Sequence, residues 1–162
     1  MNYKVEGKLT VVARSSVHDT TTVWDRVTGD VDAEPSAMGN ATAHFAIDMT
    51  SFDAGDWLRN RKLRNDFAMA QHPRATFTLA KVSDVTRDGD AFKARAEGVL
   101  RWRGKEVALA MTGRGTLDDR AVAATAQFDL DIRTLGLTAP SFLMIKMADE
   151  VTVDVTIRGT AA

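Results

Sequence analysis

Apolar and polar residues alternate along most of the chain, so that every second side chain falls on the same face. A period of two predicts half-buried β-strands, whereas an amphipathic helix would repeat every three or four residues. About eight stretches carry the alternation. They cover residues 3–13, 20–32, 40–49, 75–88, 92–102, 107–113, 122–132 and 151–157.

The fifth stretch is among the clearest, because apolar or small residues occupy every even position from Phe92 to Trp102 and charged residues occupy most odd positions. In the second stretch, Val23, Val27 and Val31 are predicted to share one face. Small residues fall within the rows that are predicted to face inward, as a tightly curved sheet needs. They include Gly98, Gly113, Ala124 and Ala126.

Eight two-sided strands joined mostly by short turns must cover their apolar face with a second sheet or close on themselves. In a chain of 162 residues with consecutive hairpins, closure is the simpler solution. The sequence therefore predicts an all-β fold, an eight-stranded antiparallel up-and-down barrel that forms a single domain over residues 1–162. The interior of such a barrel either is filled by side chains or holds one slender ligand.

Residues 51–74 interrupt the alternation between strands 3 and 4 and predict a short helical insertion. Asp53 is a candidate helix cap, and Trp57, Leu58 and Leu63 are predicted to form the apolar stripe. Trp57 is expected to fasten this helix to the barrel. Pro73 ends the insertion before the fourth strand.

Residues 134–149 form the second interruption, with an apolar, methionine-rich run at 142–147. One interpretation is a plug that covers one end of the barrel and adds to its core. The other is an adaptable gate, because unbranched Met side chains can repack around an acyl or isoprenoid tail. The two interpretations are compatible.

Composition narrows the range of partners. The 21 Lys and Arg residues almost balance the 22 Asp and Glu residues, so the net charge of −1 gives no electrostatic reason to expect nucleic acid or an anionic membrane surface as a partner.

The absence of cysteine excludes disulfides, thiolate nucleophiles and thiolate metal sites. No stretch is long enough to span a bilayer. We expect a soluble protein, cytoplasmic, or periplasmic if a signal peptide has been removed, and a homodimer is left open.

Candidate catalytic and metal-binding residues are few. Ser16, His18 and Asp19 could be imagined as a triad, but residues so close in sequence predict a hydrogen-bonded turn. The histidines, including His44 and His72, lack the spacing of a metal site. Because alternation puts His44 and Asp48 on the outer face, the inward rows carry almost no titratable group. We therefore predict no enzyme activity, no metal and no catalytic cofactor.

Several short motifs together point to a family. They are SFDAG at 51–55, RNRKLR at 59–64, HPRATF at 72–77, GVLRWRGKEV at 98–107, FDL at 128–130, LGL at 135–137 and DEV at 149–151. In this order they resemble the YceI-like family of polyisoprenoid-binding, lipocalin-like barrels, over about two-thirds of the chain.

The resemblance implies a lipocalin-like barrel that carries or sequesters an isoprenoid quinone, a polyprenyl chain or a fatty acid or amide, with a place in a stress response. The only bound group expected is then that lipid, and this hydrophobic small molecule is the partner that the resemblance implies. The predicted ligand-binding residues are Phe45, Ile47, Phe77, Leu79, Leu100, Trp102, Leu109, Met111, Phe128, Leu130, Phe142, Met144, Ile145 and Met147.

Two other functions stay open at this point. An enzyme using the same cavity would need polar groups inside the barrel. A ligand-free structural or interaction barrel would have a filled core, and inward alanines alone do not distinguish a void from tight closure.

Overall fold

The computed structural model describes residues 1–142 and 145–162, and for residues 141, 142 and 145 it describes the backbone alone. Within these residues, long strands dominate. They are β1 (Asn2–Ala13), β2 (Thr20–Asp32), β3 (Thr42–Asp48), β5 (Arg74–Asp88), β6 (Ala91–Trp102), β7 (Lys105–Leu117), β8 (Ala121–Asp131) and β11 (Glu150–Ala161). Two-residue strands lie in the connections, at β4 (Phe52–Asp53), β9 (Ser141–Phe142) and β10 (Ile145–Lys146).

Each long strand pairs in antiparallel fashion with the next long strand along the chain. The first strand, β1, pairs with both β2 and β11, and this joins the two ends of the sheet. The result is a closed barrel in which none of the long strands keeps a free edge. The predicted fold, an eight-stranded antiparallel up-and-down barrel, is confirmed.

The two ends of the barrel differ in their connections. At one end, which we call the Tyr3 end, lie the chain termini, the β2–β3 connection and the tight turns β5–β6 and β7–β8. At the other, the helix end, lie the β1–β2 loop, the β3–β5 insertion, the β6–β7 turn and the β8–β11 segment. Long connections therefore gather at the helix end.

A β-bulge interrupts β2. Between the pairs Gly7–Val27 and Leu9–Trp24, β2 has one residue more than β1. Because of the extra residue, the inward-facing side chains of β2 are at odd positions from Val27 onward but at even positions up to Trp24. Trp24 is therefore buried on the same side as Val27, whereas Val23 is only partly buried. The prediction that Val23, Val27 and Val31 share one face is wrong at Val23, because it assumed an uninterrupted period of two.

The insertion between β3 and β5 contains helix α1 (Trp57–Asp66), so its predicted place is confirmed. Its cap is Asp56, whose side chain accepts a hydrogen bond from the Arg59 backbone N–H, and not the predicted Asp53. The predicted apolar stripe is also wrong. Leu63 is buried, but Trp57 and Leu58 are exposed, so Trp57 does not fasten the helix to the barrel.

The β8–β11 segment begins with a 3₁₀ helix (Ile132–Leu135) and continues into the small hairpin of β9 and β10. Met147, after the hairpin, is buried, and its backbone N–H donates to the Pro140 carbonyl. In the part of the chain that the structure describes, no helix is long and apolar enough to cross a membrane.

Candidate functional site

The barrel encloses a cavity of about 340 Å³. Side chains from all eight long strands and from both ends border it. Inward residues such as Phe45, Phe77, Leu100 and Phe128 are only partly buried, since part of their surface faces this space. The interior is therefore hollow, and the alternative of a core packed solid does not describe this protein.

Small residues on three neighbouring strands leave room for the cavity. Ala94 on β6 lies opposite Gly113 on β7, and Gly113 in turn lies opposite Ala126 on β8. All three border the cavity. A Cβ atom added at Gly113 would meet nothing closer than the Thr125 carbonyl oxygen at 3.7 Å. This row thins the wall at one level of the barrel, because bulky side chains at the same positions would fill the interior.

The Tyr3 end is closed by a compact cluster. Tyr3 and Leu117 are almost completely buried, and Met38 packs with them. The Tyr3 hydroxyl donates to the Asp118 carbonyl oxygen at 2.6 Å, and the Arg87 Nη2 donates to the Leu117 carbonyl oxygen at 3.1 Å. Burial, followed by the nearby acidic groups, raises the pKa of Tyr3, so its hydroxyl stays protonated and able to donate at neutral pH.

The helix end is covered by parts of two connections. Leu63 of α1, Leu135 and Leu137 after β8, and Met147 pack in one cluster that reaches Trp102 of the wall. These covering residues also border the cavity, together with Pro140 and Ala148.

Hydrogen bonds between the barrel rim and the two connections anchor this cover. The Trp102 indole N–H donates to the His72 carbonyl oxygen at 2.8 Å, and Arg103 Nη1 donates to the Phe67 carbonyl oxygen at 2.6 Å. On the opposite side, the Ala148 backbone N–H donates to the Arg14 carbonyl oxygen at 2.7 Å. Both the β3–β5 and the β8–β11 connections are thus tied to the barrel rim.

Polar groups are rare in the wall. Within the described residues, no Asp, Glu, Lys, Arg or His borders the cavity. Thr20 and Thr22, both buried on β2, border it, and so does Thr125 from an exposed position. The Thr20 hydroxyl has no hydrogen-bond partner in the described structure. A wall of this kind suits a hydrocarbon chain, because an ionised group inside it would lose its hydration without gaining a counterion.

Most of the predicted ligand-binding residues border the cavity. These are Phe45, Ile47, Phe77, Leu79, Leu100, Trp102, Leu109, Met111, Phe128, Leu130 and Met147. Met144 and the side chains of Phe142 and Ile145 lie outside the described residues. A ligand-binding role for any of these residues stays a prediction.

Other wall residues were missed by sequence reasoning. Leu9 and Val11 lie on the apolar face that the alternation predicts for β1, but they were not among the predicted ligand-binding residues. Trp24 could not be assigned in this way, because counting back from Val27 in steps of two places it outside. Leu135 and Leu137 lie in a connection, where no period applies.

The residues considered for catalysis lie away from the cavity. The loop that holds Ser16, His18 and Asp19 does contain a hydrogen-bonded turn, but Ser15 makes it and not the predicted Asx-type contact: Ser15 Oγ accepts hydrogen bonds from the backbone N–H groups of Val17 and His18. His44 lies on the outside, where its Nδ1 is 3.2 Å from Thr78 Oγ1. Hydrogen bonds from Thr50 lower the pKa of Asp48, which caps a 3₁₀ turn.

Among residues 1–142 and 145–162, no three or more His, Cys, Asp or Glu side chains are grouped so that they could hold a metal ion.

Comparison with known proteins gives one family and several structures. The sequence model of the YceI-like domain matches residues 3–159. No curated protein sequence gives a significant match. BcnA of Burkholderia cenocepacia superposes with a TM-score of 0.80 at 19% identity, over 94% of this chain and 95% of that one.

Two further solved structures share the fold. A polyisoprenoid binding domain from Saccharophagus degradans, implicated in plant cell wall breakdown, has a TM-score of 0.80 at 17% identity and covers 99% of this chain and 98% of its own. The YCEI protein of Campylobacter jejuni has a TM-score of 0.73 at 13% identity, over 92% and 89% of the two chains. At such identities the superpositions establish the fold alone.

Proposed function

Because the chain belongs to the YceI-like domain family, we propose that its barrel binds one long-chain amphiphile and carries or sequesters it. The observation that carries this proposal is the hollow apolar interior of about 340 Å³, which falls within the size range of small-molecule sites. The ligand's tail lies along the barrel axis, between the Tyr3 cluster and the cover at the helix end.

The length of the cavity favours an extended chain. On β6 the cavity-lining residues run from Phe92 to Trp102. At a rise of about 3.3 Å per residue and a strand tilt of about 40°, this stretch spans roughly 25 Å along the axis. A slender polyprenyl or acyl chain fits such a space better than a fused ring system of the same volume.

The absence of charged groups from the described wall also bears on the ligand. An isoprenoid quinone, a polyprenyl chain and a fatty acid or amide all offer an apolar tail, and of these only an ionised fatty acid would bury a charge if its head group also entered the cavity. The polyisoprenoid binding described for the Saccharophagus degradans domain supports an isoprenoid tail here. We propose binding without catalysis; a stress-response role and the cellular compartment stay predictions.

The test is to purify the protein without adding lipid, then to combine native mass spectrometry with organic extraction. We expect one long-chain lipid per protein. Ala126→Phe places a phenyl ring in the thinned part of the wall and should abolish lipid retention, whereas Ala123→Phe, on the exposed face of the same strand, should not.

The proposal fails if two results occur together. One is that no lipid is extracted. The other is that polyprenol, isoprenoid quinone and fatty acid all leave the melting temperature unchanged, because a ligand that binds the native state must raise it.

A further inference from the structure

The exposed large apolar side chains of the described residues gather at one end of the barrel. They are Val17, Trp57 and Leu58, with exposed fractions of 68%, 69% and 63%. Val17 lies in the β1–β2 loop and the other two begin α1, so all three belong to the helix end. An exposed Trp next to an exposed Leu costs hydrophobic free energy that a partner surface would recover.

Helix α1 adds positive charge to this apolar group. Leu63 faces the barrel, while Trp57, Arg61 and Arg64 recur at helical spacing and are exposed together with Leu58. Residues 56–66 carry four Arg or Lys and two Asp. Two of the cations lie beside these Asp residues, in the pairs Arg59–Asp56 and Lys62–Asp66.

The two barrel ends have opposite charge. The connections at the helix end carry eight Arg or Lys and five Asp, whereas those at the Tyr3 end carry one Arg and four Asp or Glu. The overall charge of −1 conceals this asymmetry. A negatively charged surface therefore attracts the helix end and repels the Tyr3 end, which orients the barrel before contact.

We propose that the helix end docks on an anionic phospholipid membrane surface, with Trp57 and Leu58 inserted at the headgroup level. Trp is the side chain that prefers the membrane–water interface, and Arg can extend along the apolar boundary while its guanidinium contacts lipid phosphate. Anionic lipids are the matching partner for the excess of cations. Docking brings the connections that cover the cavity against the bilayer.

This inference rests on the proposed function for its purpose, since a long-chain amphiphile has its source and destination in a membrane. Docking itself depends only on the exposed apolar side chains and the positive charge of the helix end. The two proposals can therefore fail separately.

The test is flotation with vesicles of phosphatidylcholine, with or without phosphatidylglycerol. We expect the protein to float with the mixed vesicles, to float less with added salt, and to stay behind with phosphatidylcholine alone. Because Trp24 and Trp102 are buried, a blue shift of Trp emission on the mixed vesicles should come from Trp57 and disappear in Trp57→Phe.

Matched variants separate this surface from a general charge effect. Arg61→Glu with Arg64→Glu should weaken vesicle binding by tenfold or more, at about 1 kcal/mol per cationic side chain near an anionic surface. Lys93→Glu with Arg114→Glu makes the same charge change on exposed residues of β6 and β7 towards the Tyr3 end and should have a much smaller effect. Trp57→Ser with Leu58→Ser should also abolish flotation.

Two results would overturn the docking proposal. One is that the unaltered protein does not float with mixed vesicles. The other is that both charge-reversed proteins lose binding equally. Organic extraction of the same samples reports the cargo: lipid recovered from a protein that does not float would leave the proposed function intact, and flotation without extractable lipid would leave docking intact.

Discussion

The Tyr3 hydroxyl and the Asp118 carbonyl oxygen lie 2.6 Å apart, in a hydrogen bond that ties the first barrel strand to the turn between β7 and β8. Tyr3 itself is fully buried. This bond helps to close one end of the cavity. The Tyr3 end is therefore the floor of the proposed binding site, and the connections at the helix end cover the opposite side of the cavity.

Replacing Tyr3 with Phe should lower the free energy of unfolding by about 1–3 kcal/mol, because the Asp118 carbonyl would lose its buried donor while the ring still fills its place. Urea denaturation measures the change. An unchanged midpoint would show that this bond does not stabilise the barrel.

Ionisation of Tyr3 should destabilise the fold at alkaline pH. Burial and the nearby acidic groups raise the pKa of Tyr3 above its ordinary value of 10.0, so the folded state holds the phenolic proton more tightly than the unfolded state. This stabilisation is fully present below about pH 10 and is lost as the pH rises through the raised pKa.

Tyr3 is the only tyrosine in the chain, so absorbance of the phenolate reports its titration directly. We expect a midpoint above that of free tyrosine in the native protein and no phenolate signal in Tyr3→Phe. A midpoint at the ordinary value would contradict the buried, hydrogen-bonded state.

Replacing Thr20 with Val should leave stability unchanged or raise it by about 1 kcal/mol, because the buried hydroxyl has no partner and the replacement keeps a similar shape. Thr21→Val, at the exposed neighbouring position, is the control and should change stability by less than about 0.5 kcal/mol. Thermal or urea unfolding compares them. A clear loss of stability in Thr20→Val alone would show that the hydroxyl does have a partner.

Two glycines on adjacent strands should respond in opposite ways to alanine. At Gly98, an added Cβ would collide with the Phe77 ring and with the Thr78 carbonyl oxygen, so Gly98→Ala should cost about 1–3 kcal/mol. At Gly113 there is room, and Gly113→Ala should be neutral or stabilising by up to about 1 kcal/mol. Equal effects on the urea midpoint would contradict the assignment of free space to Gly113.

The barrel could be predicted from sequence because a period of two persists through each long strand and the turns are short. The failures have local causes. One extra residue in β2 places Trp24 on the inside. The apolar stripe predicted on α1 is wrong because a short helix can be held against the barrel by one buried residue, Leu63, and by polar contacts. Asn60, for example, accepts a hydrogen bond from the Ala54 backbone N–H at 2.6 Å.

Whether the barrel is hollow could not be predicted, because that depends on pairing between strands. Ala94, Gly113 and Ala126 are distant in sequence, and only the register places them side by side. The charge asymmetry of the two ends has a different cause: it follows from the predicted up-and-down topology, in which alternate connections share an end, but the net charge of the whole chain does not reveal it.

The central claim, that an extended tail lies inside the barrel, is tested most directly by titrating isoprenoid quinones of increasing tail length. In Trp57→Phe, the remaining indoles of Trp24 and Trp102 both border the cavity, and quenching of their emission reports binding. We expect affinity to rise by tenfold or more for each added isoprene unit and to level off once the tail reaches about 25 Å. Affinity that does not depend on tail length, or binding that leaves both indoles unquenched, would contradict the claim.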